Sequence, residues 1–140
     1  MYVKNRMTAN PYTVSPDATI AEALDLMRKN NIRRLPVVKN GKLVGIVTER
    51  EMMEITPSKA TTLSIFELNY LLAKTKVSAV MTKEVITVSP DALLEEAAVL
   101  MRDNRVGALP VVDNGKLVGI ITETNIFDAF VDLLGFRETG

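Results

Sequence analysis

The sequence predicts an α/β protein made of two tandem β-α-β-β-α motifs packed into one pseudo-twofold module. Three observations lead there. The chain repeats itself without gaps at an offset of 74 residues. Each copy holds a stretch of helical periodicity followed by two short apolar runs. Each pair of runs is joined by Asn-Gly. A single copy is too small to bury its own sheet, so the two copies are expected to pack together.

The repeat is dense. Met7-Thr8 returns as Met81-Thr82, and Thr13-Val14-Ser15-Pro16-Asp17-Ala18 returns as Thr87 to Ala92. Leu35-Pro36-Val37-Val38 returns as Leu109 to Val112, and Asn40 to Ile46 returns as Asn114 to Ile120. From Met7 to Glu51, 27 of the 45 positions equal their partners, which marks true internal duplication. The sequence boundaries are 1–56 for the first motif, 57–76 for a connecting segment and 77–140 for the second motif with a C-terminal helix.

Each element has a local reason. Thr13-Val14 and Ile86-Thr87-Val88 suit a short first strand. Ser15-Pro16-Asp17 and Ser89-Pro90-Asp91 are turn chemistry ahead of a helix. Ile20, Ala23, Leu24 and Met27 fall at i, i+3, i+4 and i+7, as do Leu94, Ala97, Ala98 and Met101. Leu35 to Val38 and Leu43 to Val47 are of strand length. The Asn40-Gly41 between them supplies the positive φ angles of a type I′ turn, and Asn114-Gly115 repeats it. A second helix starts near Glu49 and again near Glu123. Ser64 to Leu72 reads as an amphipathic connecting helix. Ile126 to Leu134 is strongly apolar at helical spacing and stops at Gly135. That last helix suits either its own core or a partner chain.

Composition narrows the function. The 140 residues include no cysteine and no histidine. Disulfides and thiolate chemistry are excluded, and so are the commonest general base and transition-metal ligand. No Ser-His-Asp, Cys-His or zinc constellation can be built, so neither an enzyme nor a metal site is expected. Seventeen basic residues balance 17 acidic ones, and aromatic residues make up 5%. Neither a phosphate-neutralising excess nor a stacking platform for nucleic acid is present. No apolar run approaches the roughly 18–20 residues that span a bilayer, and the start lacks a signal-peptide core. The cytoplasm is the expected location. Gly41-Lys42 and Gly115-Lys116 lack the rest of a phosphate loop and read as hairpin turns.

Met-Thr, Thr-Val-Ser-Pro-Asp, Leu-Pro-Val-Val, Gly-Lys-Leu-Val-Gly-Ile and Thr-Glu, in that order and twice over, resemble the CBS domain pattern. The resemblance covers nearly the whole chain. It implies a tandem pair, or Bateman module, forming one disc-like unit with two clefts. Such clefts often take adenosine-containing ligands: AMP, ADP, ATP, S-adenosylmethionine or a dinucleotide. The segment Thr61 to Leu72 resembles the linker of bacterial acetoin-utilisation CBS proteins. The CBS resemblance implies a homodimer, and the linker resemblance implies a C-terminal ACT domain starting where this sequence ends, at Gly140. A truncated chain and a naturally short relative both remain open.

The resemblance also implies site residues. The family holds ribose with Ser/Thr-x-x-Asp after the third strand. Here the first copy reads Thr48-Glu49-Arg50-Glu51 and the second Thr122-Glu123-Thr124-Asn125. Glu51 keeps the charge and adds a methylene; Asn125 keeps the length and loses the charge. Thr48 and Glu51 suit a second role as a capping box, and Thr122 can cap its helix alone. Arg33 and Arg34 stand where family members place a phosphate-binding base, and guanidinium suits that job. Cations near a helix end are stabilising in any case. The second copy has Gly107-Ala108 there, so the two sites are expected to differ. The base would lie against Pro11, Tyr12 and Ile46 in one cleft, and against Val85, Ile86 and Ile120 in the other. A structural module that dimerises with empty clefts is the alternative reading.

Overall fold

The computed structural model describes residues 1–54 and 64–135. The part of the predicted connecting segment from Pro57 to Leu63 lies outside the described residues, as do 136–140. The chain divides into two compact units. The first-repeat unit is Tyr12–Val85, and the second-repeat unit is Met1–Pro11 with Ile86–Gly140.

In the first-repeat unit, helix α1 (Ile20–Asn30) precedes strands β2 (Arg34–Lys39) and β3 (Lys42–Thr48), then α2 (Glu49–Met53) and the connecting helix α3 (Ile65–Lys74). Thr19 caps α1, with Glu22 reaching back to it. Helix α1 ends at Asn31, whose φ of 52° is left-handed. Strands β2 and β3 form an antiparallel hairpin. Asn40 and Gly41 both carry positive φ, as the turn requires. Ile20, Ala23, Met27, Leu35, Val37, Val47, Met52 and Val77 form the core. Leu72 of α3 packs against it.

The second-repeat unit has strand β1 (Thr8–Ala9), helix α4 (Leu94–Asn104), strands β4 (Ala108–Asp113) and β5 (Lys116–Thr122), and helix α5 (Glu123–Leu133). Its hairpin has the same register, and Asn114-Gly115 makes the same turn. Leu93 precedes α4 and offers no side-chain cap, unlike Thr19. Gly135 follows α5 with a φ of +68°, where the sequence places the stop. The core gathers Val88, Leu94, Ala97, Met101, Leu109, Val111, Ile121 and Ala129, together with Val3.

Two results depart from the sequence reading. The first strand of each motif is reduced to a single parallel bridge, Val14 to Val37 and Val88 to Val111. The Ser-Pro-Asp turn follows at once, with the Asp17 amide donating to Ser15 Oγ at 3.1 Å, so the strand has no room to extend. The second departure concerns the leaders. Val77 is buried in the first-repeat core, and its amide donates to the Ala18 carbonyl at 2.8 Å. Val3 is buried in the second-repeat core, and its amide donates to the Ala92 carbonyl at 2.9 Å. The segment ahead of each repeat thus packs with the body of the other repeat.

Glycine makes this docking feasible. A Cβ at Gly45 would stand 2.9 Å from the Thr82 carbonyl oxygen and 2.7 Å from Met81 Sδ. Gly119 has the same relation to Met7 and Thr8, with the Thr8 oxygen at 2.9 Å. Only a residue without a side chain lets the leader approach the strand so closely.

Candidate functional site

The predicted residues of the first repeat converge where the hairpin opens onto α2. Arg34 is the first residue of β2 and stands opposite Thr48, the last of β3. Arg33 is exposed, and its carbonyl accepts from the Glu49 amide at 2.9 Å. Among the described residues, neither arginine has a carboxylate partner within ion-pair distance. Arg34 is beside Thr48 at the start of α2, and Arg33 immediately precedes it. Arg50 differs: it pairs with Glu54 of its own helix at 3.4 Å and is exposed.

Thr48 and Glu51 form a reciprocal capping box. The Glu51 amide donates to Thr48 Oγ1 at 3.1 Å. Glu51 Oε1 accepts from the Thr48 amide at 3.0 Å and from the Thr48 hydroxyl at 3.1 Å. The other carboxylate oxygen, Oε2, accepts from the hydroxyl of Thr82 at 2.6 Å. Thr82 is a site residue that the sequence reading missed. The repeated Met-Thr pair was visible, but only the fold brings it to Ile46, with which Thr82 exchanges two backbone hydrogen bonds.

The second repeat builds the same frame with other chemistry. Asn125 Oδ1 accepts from the Thr122 amide at 2.9 Å and its hydroxyl at 3.0 Å, and the Asn125 amide donates back at 3.3 Å. Thr8 stands opposite Ile120, in the place that Thr82 takes opposite Ile46. Among the described residues no hydrogen bond joins the Thr8 and Asn125 side chains. Ala108 replaces Arg34 opposite Thr122, so no guanidinium starts β4. Arg105 lies three residues before the strand and carries a left-handed φ of 54°. Thr124 is exposed.

The apolar candidates are divided. Ile46 and Ile120 are half-buried and sit opposite Pro36 and Pro110. Tyr12 and Val85 belong to the unit of Ile46, whereas Pro11 and Ile86 belong to that of Ile120. Each predicted pair is thus split by the unit boundary. Ile86 packs on the second-repeat core, and Tyr12 is 55% exposed. A cavity of about 200 Å³ lies elsewhere, lined by Ala98, Met101, Arg102, Glu123, Ile126 and Phe127. It contains none of the predicted site residues. Among the described residues, no cluster of acidic side chains could hold a metal ion, and no helix is long and apolar enough to cross a membrane.

Comparison with known proteins agrees with the fold. The family model for the CBS domain matches residues 3–57 and again 77–132. The CBS domain-containing protein YhcV of Bacillus subtilis is 37% identical over 119 residues, 85% of this chain and 78% of its own length. A Vibrio cholerae structure assigned to acetoin utilization (AcuB) superposes with a TM-score of 0.79 at 34% identity, covering 96% of this chain and 93% of that one. CBSX2 of Arabidopsis thaliana, solved in complex with AMP, gives a TM-score of 0.79 at 30% identity, covering 95% and 98%. The chain belongs to the CBS domain family and carries two of its domains in tandem.

Proposed function

We propose that this chain is a regulatory, non-catalytic module that binds an adenosine-containing nucleotide. In the first repeat Arg33 and Arg34 take the phosphates, and Thr48 and Glu51 take the ribose. In the second repeat Thr122, Thr124 and Asn125 serve in place of these. Pro11, Tyr12, Ile46, Val85, Ile86 and Ile120 supply apolar surface for the base. The observation that carries the reading is the pairing of Arg34 with Thr48, which puts an arginine with no carboxylate partner among the described residues on the strand next to the Thr48–Glu51 box. Guanidinium offers phosphate a bidentate partner, and a carboxylate accepts from ribose hydroxyls. The AMP complex of CBSX2 supports this choice of ligand class. The ligand acts by favouring one of two conformations, in proportion to its differential affinity for them. The cytoplasm, an attached ACT domain and a role in acetoin utilisation belong to the same proposal.

The test is a thermal-shift panel of AMP, ADP, ATP, S-adenosylmethionine and NAD, with and without magnesium. A ligand that binds only the folded chain at 100 times its Kd stabilises it by about 2.7 kcal/mol, a readily measured rise in Tm. At least one member of the panel is expected to give that rise. No shift with any member would overturn the reading.

A second reading has its own observation. Phe127, Phe130, Val131 and Leu134 fall at i, i+3, i+4 and i+7 at the end of the chain's last helix, and all four are exposed. An apolar stripe of this kind suits association with another copy, as a structural homodimerisation module requires.

A further inference from the structure

We infer that Thr82 is a positioning residue for the first-repeat site: its hydroxyl holds the outer oxygen of Glu51, and a bound ribose must take its place. The inference rests on reading that site as a nucleotide site.

Glu51 has few free positions. Oε1 is turned toward the cap and accepts twice from Thr48. Oε2 is the oxygen left to face a ligand, and it accepts from Thr82 Oγ1 at 2.6 Å. A hydrogen bond to a carboxylate is about twice as strong as a neutral one. The protein itself fills three of the carboxylate's about four acceptor positions, and a ribose hydroxyl that takes the position Thr82 holds on Oε2 competes with a strong bond already formed. Thr82 is held in place for this role by its two backbone hydrogen bonds to Ile46, at 2.9 and 3.0 Å.

The second repeat lacks the device. Thr8 occupies the same register, but Asn125 is a methylene shorter and its Oδ1 is engaged twice by Thr122. Only the first repeat combines a long carboxylate with the hydroxyl that holds it. Thr82 thus lowers the affinity of the first-repeat site for a ligand that brings ribose hydroxyl donors. A ribose with both hydroxyls can replace the Thr82 bond; a 2′,3′-dideoxyribose cannot.

The experiment is titration calorimetry of the full chain with AMP and with 2′,3′-dideoxy-AMP, using wild type, Thr82→Val and Thr82→Ser. Thr82→Val keeps the shape and removes the hydroxyl; Thr82→Ser keeps the hydroxyl. The expected result is AMP binding about five- to tenfold tighter in T82V, the share of a charged hydrogen bond that no longer needs breaking. T82S should match wild type, and the preference for AMP over the dideoxy compound should widen in T82V, because only AMP has to break the Thr82 bond. AMP binding that is equal in all three proteins would overturn the role of Thr82 and leave the nucleotide site standing. Weaker binding in T82V with normal binding in T82S would also overturn it, because Thr82 would then be a direct ligand contact. Absence of AMP binding in wild type and T82V alike would overturn the reading of the site and this inference with it. A double-mutant cycle of T82V with Glu51→Gln on the unfolding midpoint checks the bond without ligand. No coupling there would also contradict the inference.

Discussion

Single residues carry the difference between the two repeats. Asn31 and Arg105 occupy the same position after α1 and α4, and both adopt a left-handed φ near 53°. Asparagine tolerates that conformation because its short side chain can bond locally; a long side chain is crowded there. Arg105→Asn is therefore expected to raise the stability of the chain by about 0.5–1 kcal/mol, read as an increase in Tm. An unchanged or lower Tm would mean that the Arg105 side chain makes a compensating contribution. The duplication itself made this comparison legible in the sequence. The capping box was legible too, from Thr48-x-x-Glu51 alone. Thr82 was not, because its partner Glu51 lies 31 residues away and no local pattern joins them.

At the scale of elements, the sequence was most informative where the chemistry is local. The Asn-Gly turns, the helix periodicity and the stop at Gly135 all appear where the residues place them. The first strand of each motif was over-read. Thr-Val has strand propensity, but the adjoining Ser-Pro-Asp turn wins and leaves one bridge. Helix α5 packs one face on the core of its own unit and leaves the other face exposed. Ala129 is buried and Ile126 packs on the core, while Phe127 and Phe130 are 65% and 60% exposed. If this face joins two copies, Phe127→Glu with Phe130→Glu should convert a dimer to a monomer in sedimentation equilibrium, with far-UV circular dichroism unchanged. A wild-type monomer at micromolar concentration would remove the dimerisation reading.

At the scale of the whole molecule, the repeat boundaries and the compact units do not coincide. The sequence divides at the repeats, whereas the units recruit Val3 and Val77 across them. Periodicity cannot reveal this, since Val3 and Val77 each begin a three-residue 3-10 turn, too short to carry a helical or strand period. The carbonyls of Ala18 and Ala92 select them by accepting from the Val77 and Val3 amides. Burying one valine is worth about 2 kcal/mol. Val3→Ala should therefore increase hydrogen exchange more in residues 86–134 than in residues 12–54. The opposite pattern would contradict the unit assignment.

The two units share a frame and differ in the groups they present. The first repeat offers Arg33, Arg34 and a carboxylate, and the second offers Asn125 without an arginine on its strand. We propose that this frame binds nucleotide and that Arg34 makes the first repeat the phosphate-dependent site. Isothermal titration of the full chain with AMP, for wild type and Arg34→Ala, tests it most directly. The expected result is saturable binding in wild type with a site weakened about ten- to a hundredfold in R34A, the loss of a charge-assisted phosphate contact. Binding that is identical in R34A, or no heat in a well-folded wild type, would contradict the account.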